Sequence, residues 1–444
     1  MKKIVIISIC LCGFLVGNAQ QRWTLQDCIE YAQEHNIEIK QQALDVKSSE
    51  IDLSTSKNSR LPDLNAQIGG RFSMGRSLSQ QNIYEDNNAS SLDFGATSSM
   101  PLFTGFRISN EIKVNELNLK AATENLNKAK DNISLQIASS YLEVLFNKEL
   151  LKVYEEQVNL TSSQVGKTEV LVKAGKSPMS QLYDIKAQLA NDEVNVTTAK
   201  NSLDLSLLNL AQALNLTEYE SFDIVEPKIG DDVFKNSMPS MVKPSELYQT
   251  AIAIKPHVKE AEYKLESSEK QLQVAKAGYW PKLNLELGYS NGFQHVYKSG
   301  YPNESFGKQL RNQGREYVAL SLSIPIFDRF VTRNQVRKAQ LGILNSELSL
   351  DNVKLNLYKE IQQAYQNATS AQSKYESAQK AFEAAEESFK YAKDRYEVGK
   401  ISVYEYSEAQ LKILKSRSEQ LQAKYDFVFR AKILDFYAGK QINI

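Results

Sequence analysis

Few side chains in this sequence could make or break a bond. Its three histidines, His35, His257 and His295, are widely separated and form no His-Glu-x-x-His arrangement. Of three cysteines, Cys10 and Cys12 fall in an apolar N-terminal run, each behind a bulky residue (Ile9, Leu11), a context unlike a lipid-attachment site. Cys28 is the one left beyond that run, so neither an intrachain disulfide nor a thiolate- or histidine-rich metal site has the material it needs. No Walker glycine loop, Gly-x-Ser-x-Gly elbow or dinucleotide fingerprint occurs. That leaves carboxylates. Glu405 and Glu408 lie one helical turn apart just behind Gly399-Lys400, and on a helix such a pair is ordinarily a solvated face. These residues predict no enzyme, no cofactor and no resident metal.

The elements that position these residues must be long. Across 444 residues there are 19 glycines and 10 prolines, so turns are rare. The formal net charge of +0 offers no basic field for nucleic acid. Lys2 and Lys3 precede an apolar run from Ile4 to Val16, and Gly17-Asn18-Ala19 follow, which predicts a signal peptide over 1–19 cleaved after Ala19. Losing its two lysines takes the formal charge from +0 to −2. Nothing downstream approaches the ~18 consecutive apolar residues of a spanning helix. The expected destinations are the periplasm, the exterior, or an outer-membrane barrel.

The chain repeats itself. Met100-Pro101-Leu102-Phe103 matches Ile324-Pro325-Ile326-Phe327 at an offset of 325 − 101 = 224, and the same offset pairs Phe106 with Phe330, Asn110 with Asn334, Ile137 with Ile361, Tyr141 with Tyr365, and Gly175-Lys176 with Gly399-Lys400. Upstream, Leu61-Pro62-Asp63-Leu64-Asn65 matches Trp280-Pro281-Lys282-Leu283-Asn284 at 281 − 62 = 219. The five-residue difference belongs in a polar loop between the two anchor sites, where insertions cost least. The expected organisation is a first repeat over 20–215 with a strand pair at 63–103 and a helical hairpin at 105–214. A linker over 216–244 follows, then a second repeat over 245–439 with strands at 282–327 and a hairpin at 330–437, and a tail over 440–444.

Four segments alternate with period two. Leu64, Ala66, Ile68, Gly70, Phe72 and Met74 face one way in the first, and Leu92, Phe94, Ala96, Met100 and Leu102 in the second. Leu283, Leu285, Leu287 and Tyr289 do so in the third, and Val318, Leu320, Leu322, Ile324 and Ile326 in the fourth. Such strands suit a half-buried soluble sheet or an outer-membrane wall. The export signal and the ~10-residue lengths favour the membrane, where a tilted strand needs ~9–11 residues. Four strands cannot close around water when small barrels need ~8, so the strands must be pooled between subunits. Tyr289, Tyr317 and Phe327 are candidates for an interfacial aromatic girdle, with core packing the alternative.

From Gly105 to Val172 there is no proline, and Gly166 is the one later glycine. At ~1.5 Å per residue this predicts a rod of about 100 Å. Leu119, Leu126, Ile133, Ile137, Val144, Leu151, Val158, Val165 and Val172 keep heptad spacing with one four-residue stutter, which locally straightens a supercoil. In the second copy Ala371, Tyr375, Ala378, Phe382, Ala385, Phe389, Ala392 and Tyr396 layer small against large, the pattern of interlocking helices. Gly175-Lys176-Ser177-Pro178 and Gly399-Lys400-Ile401-Ser402 supply a left-handed cap and a restart, hence tight hairpin turns. A coiled-coil stalk carries such stripes too, but here the rods run directly into the strands.

Together these features resemble the TolC family of outer-membrane efflux proteins, over essentially the whole chain beyond the signal peptide. The most specific local carrier is Tyr396-Glu397-Val398-Gly399-Lys400-Ile401-Ser402-Val403-Tyr404-Glu405-Tyr406-Ser407-Glu408-Ala409-Gln410, similar to the family's hairpin turn. The resemblance implies an α+β membrane protein in a Gram-negative-type envelope. It would be a homotrimer pooling four strands per protomer into a twelve-stranded barrel in outer-membrane lipid, continued by a periplasmic α-helical coiled-coil barrel. It implies two partners at the hairpin turns Gly175, Lys176, Gly399 and Lys400: a periplasmic adaptor and an inner-membrane transporter of the RND, ABC or MFS type. Pro101 and Pro325 would join strand to rod. Glu405 and Glu408 match the family's tip acids and Tyr396 its constriction tyrosine, whereas Ile401 and Gln181 replace the basic and acidic groups expected there. Three copies of the two glutamates around a narrow pore would concentrate cations at its mouth. The implied function is the exit duct of a tripartite efflux pump for small molecules. The alternatives are a duct for type I protein secretion and, in another class, a non-channel envelope stalk.

Overall fold

The structure is a computed structural model and describes residues 22–78, 82–86, 88–217, 221–227, 243–298 and 301–442. The expected signal peptide and most of the expected linker lie outside the described residues. The described residues begin with a short strand, β1 (Arg22–Trp23), followed by α1 (Leu25–His35) and α2 (Ile37–Asn58). β2 (Asn65–Ser73) leads through a small hairpin, β3 (Arg76–Leu78) and β4 (Tyr84–Asp86), to β5 (Ala89–Phe103). Then come α3 (Arg107–Lys173, 67 residues), α4 (Met179–Ala213, 35 residues) and β6 (Asp223–Ile224). The order returns with α5 (Pro244–Ile254), α6 (Pro256–Lys276), β7 (Lys282–Val296) and a loop helix α7 (Phe306–Gln313). β8 (Arg315–Ser323), α8 (Val331–Glu397, 67 residues) and α9 (Val403–Tyr437, 35 residues) complete it.

The offsets in the sequence reappear in the backbone. The bounds of α8 and α9 follow those of α3 and α4 by 331 − 107 = 397 − 173 = 403 − 179 = 437 − 213 = 224. Earlier helices keep the smaller one, 244 − 25 = 254 − 35 = 256 − 37 = 219. Left-handed residues pair too: Phe106 (φ 65°) with Phe330 (φ 64°), and Asn215 (φ 59°) with Gly439 (φ 81°). Between the anchor sites the copies differ, one loop forming the β3–β4 hairpin and the other α7.

Cα packing divides the chain into two compact units. Of the described residues, one unit holds those within 42–126 and 256–355, and the other those up to 41, within 127–255 and from 356 onward. The first contains an antiparallel sheet in the order β2-β5-β7-β8. Its register sets Ile68 opposite Phe94, Leu92 opposite Phe293, Leu287 opposite Val318, and Leu285 between Met100 and Leu320. The alternating apolar sets therefore share one face, and Gln67, Gly95, Ser290 and Arg315 share the other. The apolar face is uncovered at both edges, where Ile68 is 79% and Val318 74% exposed.

The ends of these strands differ from their sequence pattern. β8 stops at Ser323, leaving Ile324 and Ile326 outside it, because Pro325 has no N–H to give a ladder. Pro101 instead lies inside β5 opposite Asn284, and the register shifts between it and Phe103. Tyr317 is not beside Tyr289 in an apolar girdle. It sits on the polar face, with its ring across Gly288 and its hydroxyl donating to Glu286 Oε1 at 2.7 Å. The helices in this unit follow the strand order through small polar contacts: Asn115 to Ser56 at 3.0 Å, Ser267 to Asn118 at 2.8 Å, and Ser268 with Ser346 at 2.8 Å.

In the other unit β1 and β6 pair in parallel, and the buried Tyr141 donates its hydroxyl to the Val225 carbonyl at 2.6 Å. Ile133, Ile137 and Val144 of the α3 stripe are buried, while Val158, Val165 and Val172 are half-buried. The breaks between helix pairs do matching work 219 residues apart. Asn36 donates its amide to the Ala213 carbonyl at 3.1 Å, closing the end of α4. Lys255 sets its ammonium 3.1 Å above the Phe436 ring near the end of α9 and 3.5 Å from Asp131. Burial pushes the Lys255 pKa down, partly opposed by Asp131.

Candidate functional site

Both hairpin turns are built from the backbone outward. Gly175 (φ 70°) and Gly399 (φ 71°) are left-handed with nothing within 4 Å of a Cβ position, so φ and not space selects glycine. The Lys176 N–H reaches the Leu171 carbonyl at 2.8 Å, and the Lys400 N–H reaches that of Arg395 at 2.8 Å, the six-to-one closure of a helix end. Both lysines are exposed at the bends.

The two restarts are not alike. α4 has Pro178 at its N-cap position with no side-chain cap bond, whereas Ser402 and Glu405 form a reciprocal box at the start of α9. The Ser402 N–H donates to Glu405 Oε2 at 2.8 Å, its hydroxyl donates at 2.9 Å, and the Glu405 N–H returns to that hydroxyl at 3.2 Å. These bonds, first the backbone N–H of Ser402, hold the Glu405 carboxyl below its usual pKa. Glu405 thus caps a helix besides carrying charge. Glu408 is exposed and has no hydrogen-bond or ion-pair partner among the described residues. Because the folded pKa of Glu405 is depressed, its contribution is complete above the ordinary glutamate value of ~4.3 and is lost as pH falls below it through the folded value. Amide exchange at Glu405–Ser407 is therefore expected to accelerate on acidification through that window, and to be pH-insensitive, beyond intrinsic exchange, in Glu405→Gln. An unchanged protection factor in the native chain would contradict the cap.

Tyr396 is clasped. Its ring stacks on Tyr406 at 4.6 Å and 27°, and its hydroxyl accepts from Gln181 Nε2 at 3.2 Å. Tyr406 is 2% exposed, receives the Gln164 amide, and has its phenol pushed up to about 12, chiefly by burial. Gln181, 224 residues before Glu405, therefore engages the tyrosine where its counterpart caps a helix.

A buried polar cluster lies deeper in the same unit, and its members look solvated in the sequence. Asp192 is 1% exposed and accepts from the Thr161 hydroxyl at 2.6 Å, Gln157 at 3.3 Å and Gln188 at 2.8 Å. Gln410 of α9 donates to Thr161 at 3.2 Å, tying α9 to both helices of the first hairpin. The available signal was spacing: Gln157/Thr161 and Gln188/Asp192 each lie four apart on one helix face. Elsewhere, burial pushes the Cys28 thiol up to about 12, leaving it inert. Among the described residues no group of three or more metal-binding side chains converges, and no helix is long and apolar enough to cross a membrane.

One family model, Outer membrane efflux protein, matches residues 28–216 and 247–440. The chain is 22% identical over 439 residues to the outer membrane protein TolC of Escherichia coli K12, spanning 96% of this chain and 84% of that one. It is 22% identical over 411 residues to the cation efflux system protein CusC of Escherichia coli O157:H7, spanning 89% and 82%. Among solved structures, CusC superposes with a TM-score of 0.74 at 17% identity, over 94% of this chain and 92% of that one. The CmeC outer membrane channel of Campylobacter jejuni does so with a TM-score of 0.75 at 16% identity, over 94% and 85%.

Proposed function

The chain belongs to the outer membrane efflux protein family, and on that premise we propose that it is the homotrimeric exit duct of a tripartite pump for small molecules. The observation that carries this reading is the pair of open sheet edges. β2 and β8 have 9 residues each and are exposed throughout. Unpaired edges are not tolerated in hydrocarbon, so each must find a partner. Four antiparallel strands in the order β2-β5-β7-β8 leave the edges running in opposite directions, so β8 of one copy meets β2 of the next antiparallel. Three copies supply 3 × 4 = 12 strands, enough for a water-filled interior where ~8 strands give one just wide enough for side chains. The apolar face then meets lipid and the polar face the lumen. The two repeats, 20–215 and 245–439, contribute a hairpin each. The bends at Gly175, Lys176, Gly399 and Lys400 are the docking points for an adaptor and, through it, an inner-membrane transporter. Glu405, Glu408 and Tyr396 surround the constriction.

Single cysteines in the two edges test the closure. Pairing one position among Gln67, Gly69 and Arg71 with one among Ala319, Ser321 and Ser323 samples the register between copies. Oxidation is expected to give a covalent ladder ending at three chains for at least one pairing. Monomers alone across the whole series would sink the pooled barrel.

A further inference from the structure

At the root of the sheet, α6 and the turn after it, α8, and the first residues of α3 and β7 line an open cavity of about 560 Å³. Three cations line it, Arg107, Lys282 and Lys338, and no carboxylate does. Arg107 is paired with Glu111 at 2.7 Å, whereas neither Lys282 nor Lys338 has a carboxylate partner among the described residues. The floor is apolar, made by Val274, Ala275 and Ala339. Lys282 stands opposite Ser323 and in phase with Asn284 and Glu286, which puts it on the polar face of the sheet. The geometry points to a subsite for amphipathic organic anions moving through the duct: two unpaired ammonium groups take a sulfonate, carboxylate or phosphate, and the floor takes an apolar body. This rests on the channel reading, since that reading makes the polar face the lumen. Pockets of ~300–1,000 Å³ suit small molecules, and an open, half-apolar one holds them loosely enough to let cargo leave. A lipid headgroup fits the same charges, but lipid meets the opposite face.

The test is calorimetric titration of the full-length protein in phosphatidylcholine nanodiscs with naphthalene-2-sulfonate. Saturable binding is expected, about tenfold weaker in Lys282→Gln/Lys338→Gln, in line with the loss of two charge-assisted contacts at an exposed site. Lys359→Gln, on α8 outside the cavity, is expected to bind like the parent. Equal affinity in the parent and the double variant overturns the subsite. Loss of sulfonate binding in phosphatidylglycerol nanodiscs also overturns it, by giving the site to lipid. The channel reading fails separately, by absence of conductance from the same protein in planar bilayers.

Discussion

Replacing Asp192 with alanine is expected to destabilise the hairpin unit by about 3 kcal/mol, the upper part of the range for leaving buried hydrogen-bonding groups unpaired. Asp192 is 1% and Thr161 0% exposed, so water cannot take over their bonds without opening the helix packing. Alanine strands the Thr161 hydroxyl and the amides of Gln157 and Gln188, which converge on that carboxylate. Asparagine keeps the shape and most of the hydrogen bonds. Its oxygen can stay with Thr161 and Gln157, while the Gln188 amide turns its own oxygen toward the new NH₂. Asp192→Asn should therefore cost about 1 kcal/mol. Thermal loss of the 222 nm circular dichroism signal reads both variants. If alanine melts where the native protein does, the cluster is already hydrated and does not bind α9 to the first hairpin.

The second large effect is expected at Gly105. Its φ of 65° is left-handed, and a Cβ there would meet the Trp280 Cβ at 2.5 Å and the Ala277 carbonyl oxygen at 2.7 Å. The conformational term alone is ~1–2 kcal/mol. Overpacking against a backbone atom adds ~1–3 kcal/mol, because neither neighbour is the free end of a side chain. Gly175→Ala is the control, with φ 70° but open space, so the conformational term acts alone. Urea denaturation should rank Gly105→Ala well below Gly175→Ala. The reverse order would mean that packing at the strand-to-helix junction is slack.

Much of this fold was legible because its signals are local and repeated. The 224-residue offset found by matching Pro101 to Pro325 is also the offset between α3 and α8, because the same residue pattern breaks and caps each helix. Alternating residues in the strands announced one apolar face, and the register gathers them there. Less legible was whatever depends on distant partners. β7 runs on to Val296 beyond the end of β8, where its alternation has faded. There the side chains of Gln309 and Asn303 bond both the N–H and the C=O of Gln294 and Val296 and stand in for a strand. Glu405 was visible as a charge, although Ser402-x-x-Glu405 also carries the signature of a capping box. Asp192 was invisible, since a carboxylate on a long helix is ordinarily solvated and only tertiary packing buries it.

The central claim is that pooled copies of this chain enclose a water-filled path. Insertion of the purified oligomer into planar bilayers tests it most directly. Discrete, reproducible conductance steps are predicted, with cations favoured over anions if Glu405 and Glu408 ring the constriction. A folded, membrane-inserted oligomer that passes no current under any applied voltage would contradict the duct and leave a coiled-coil stalk in its place.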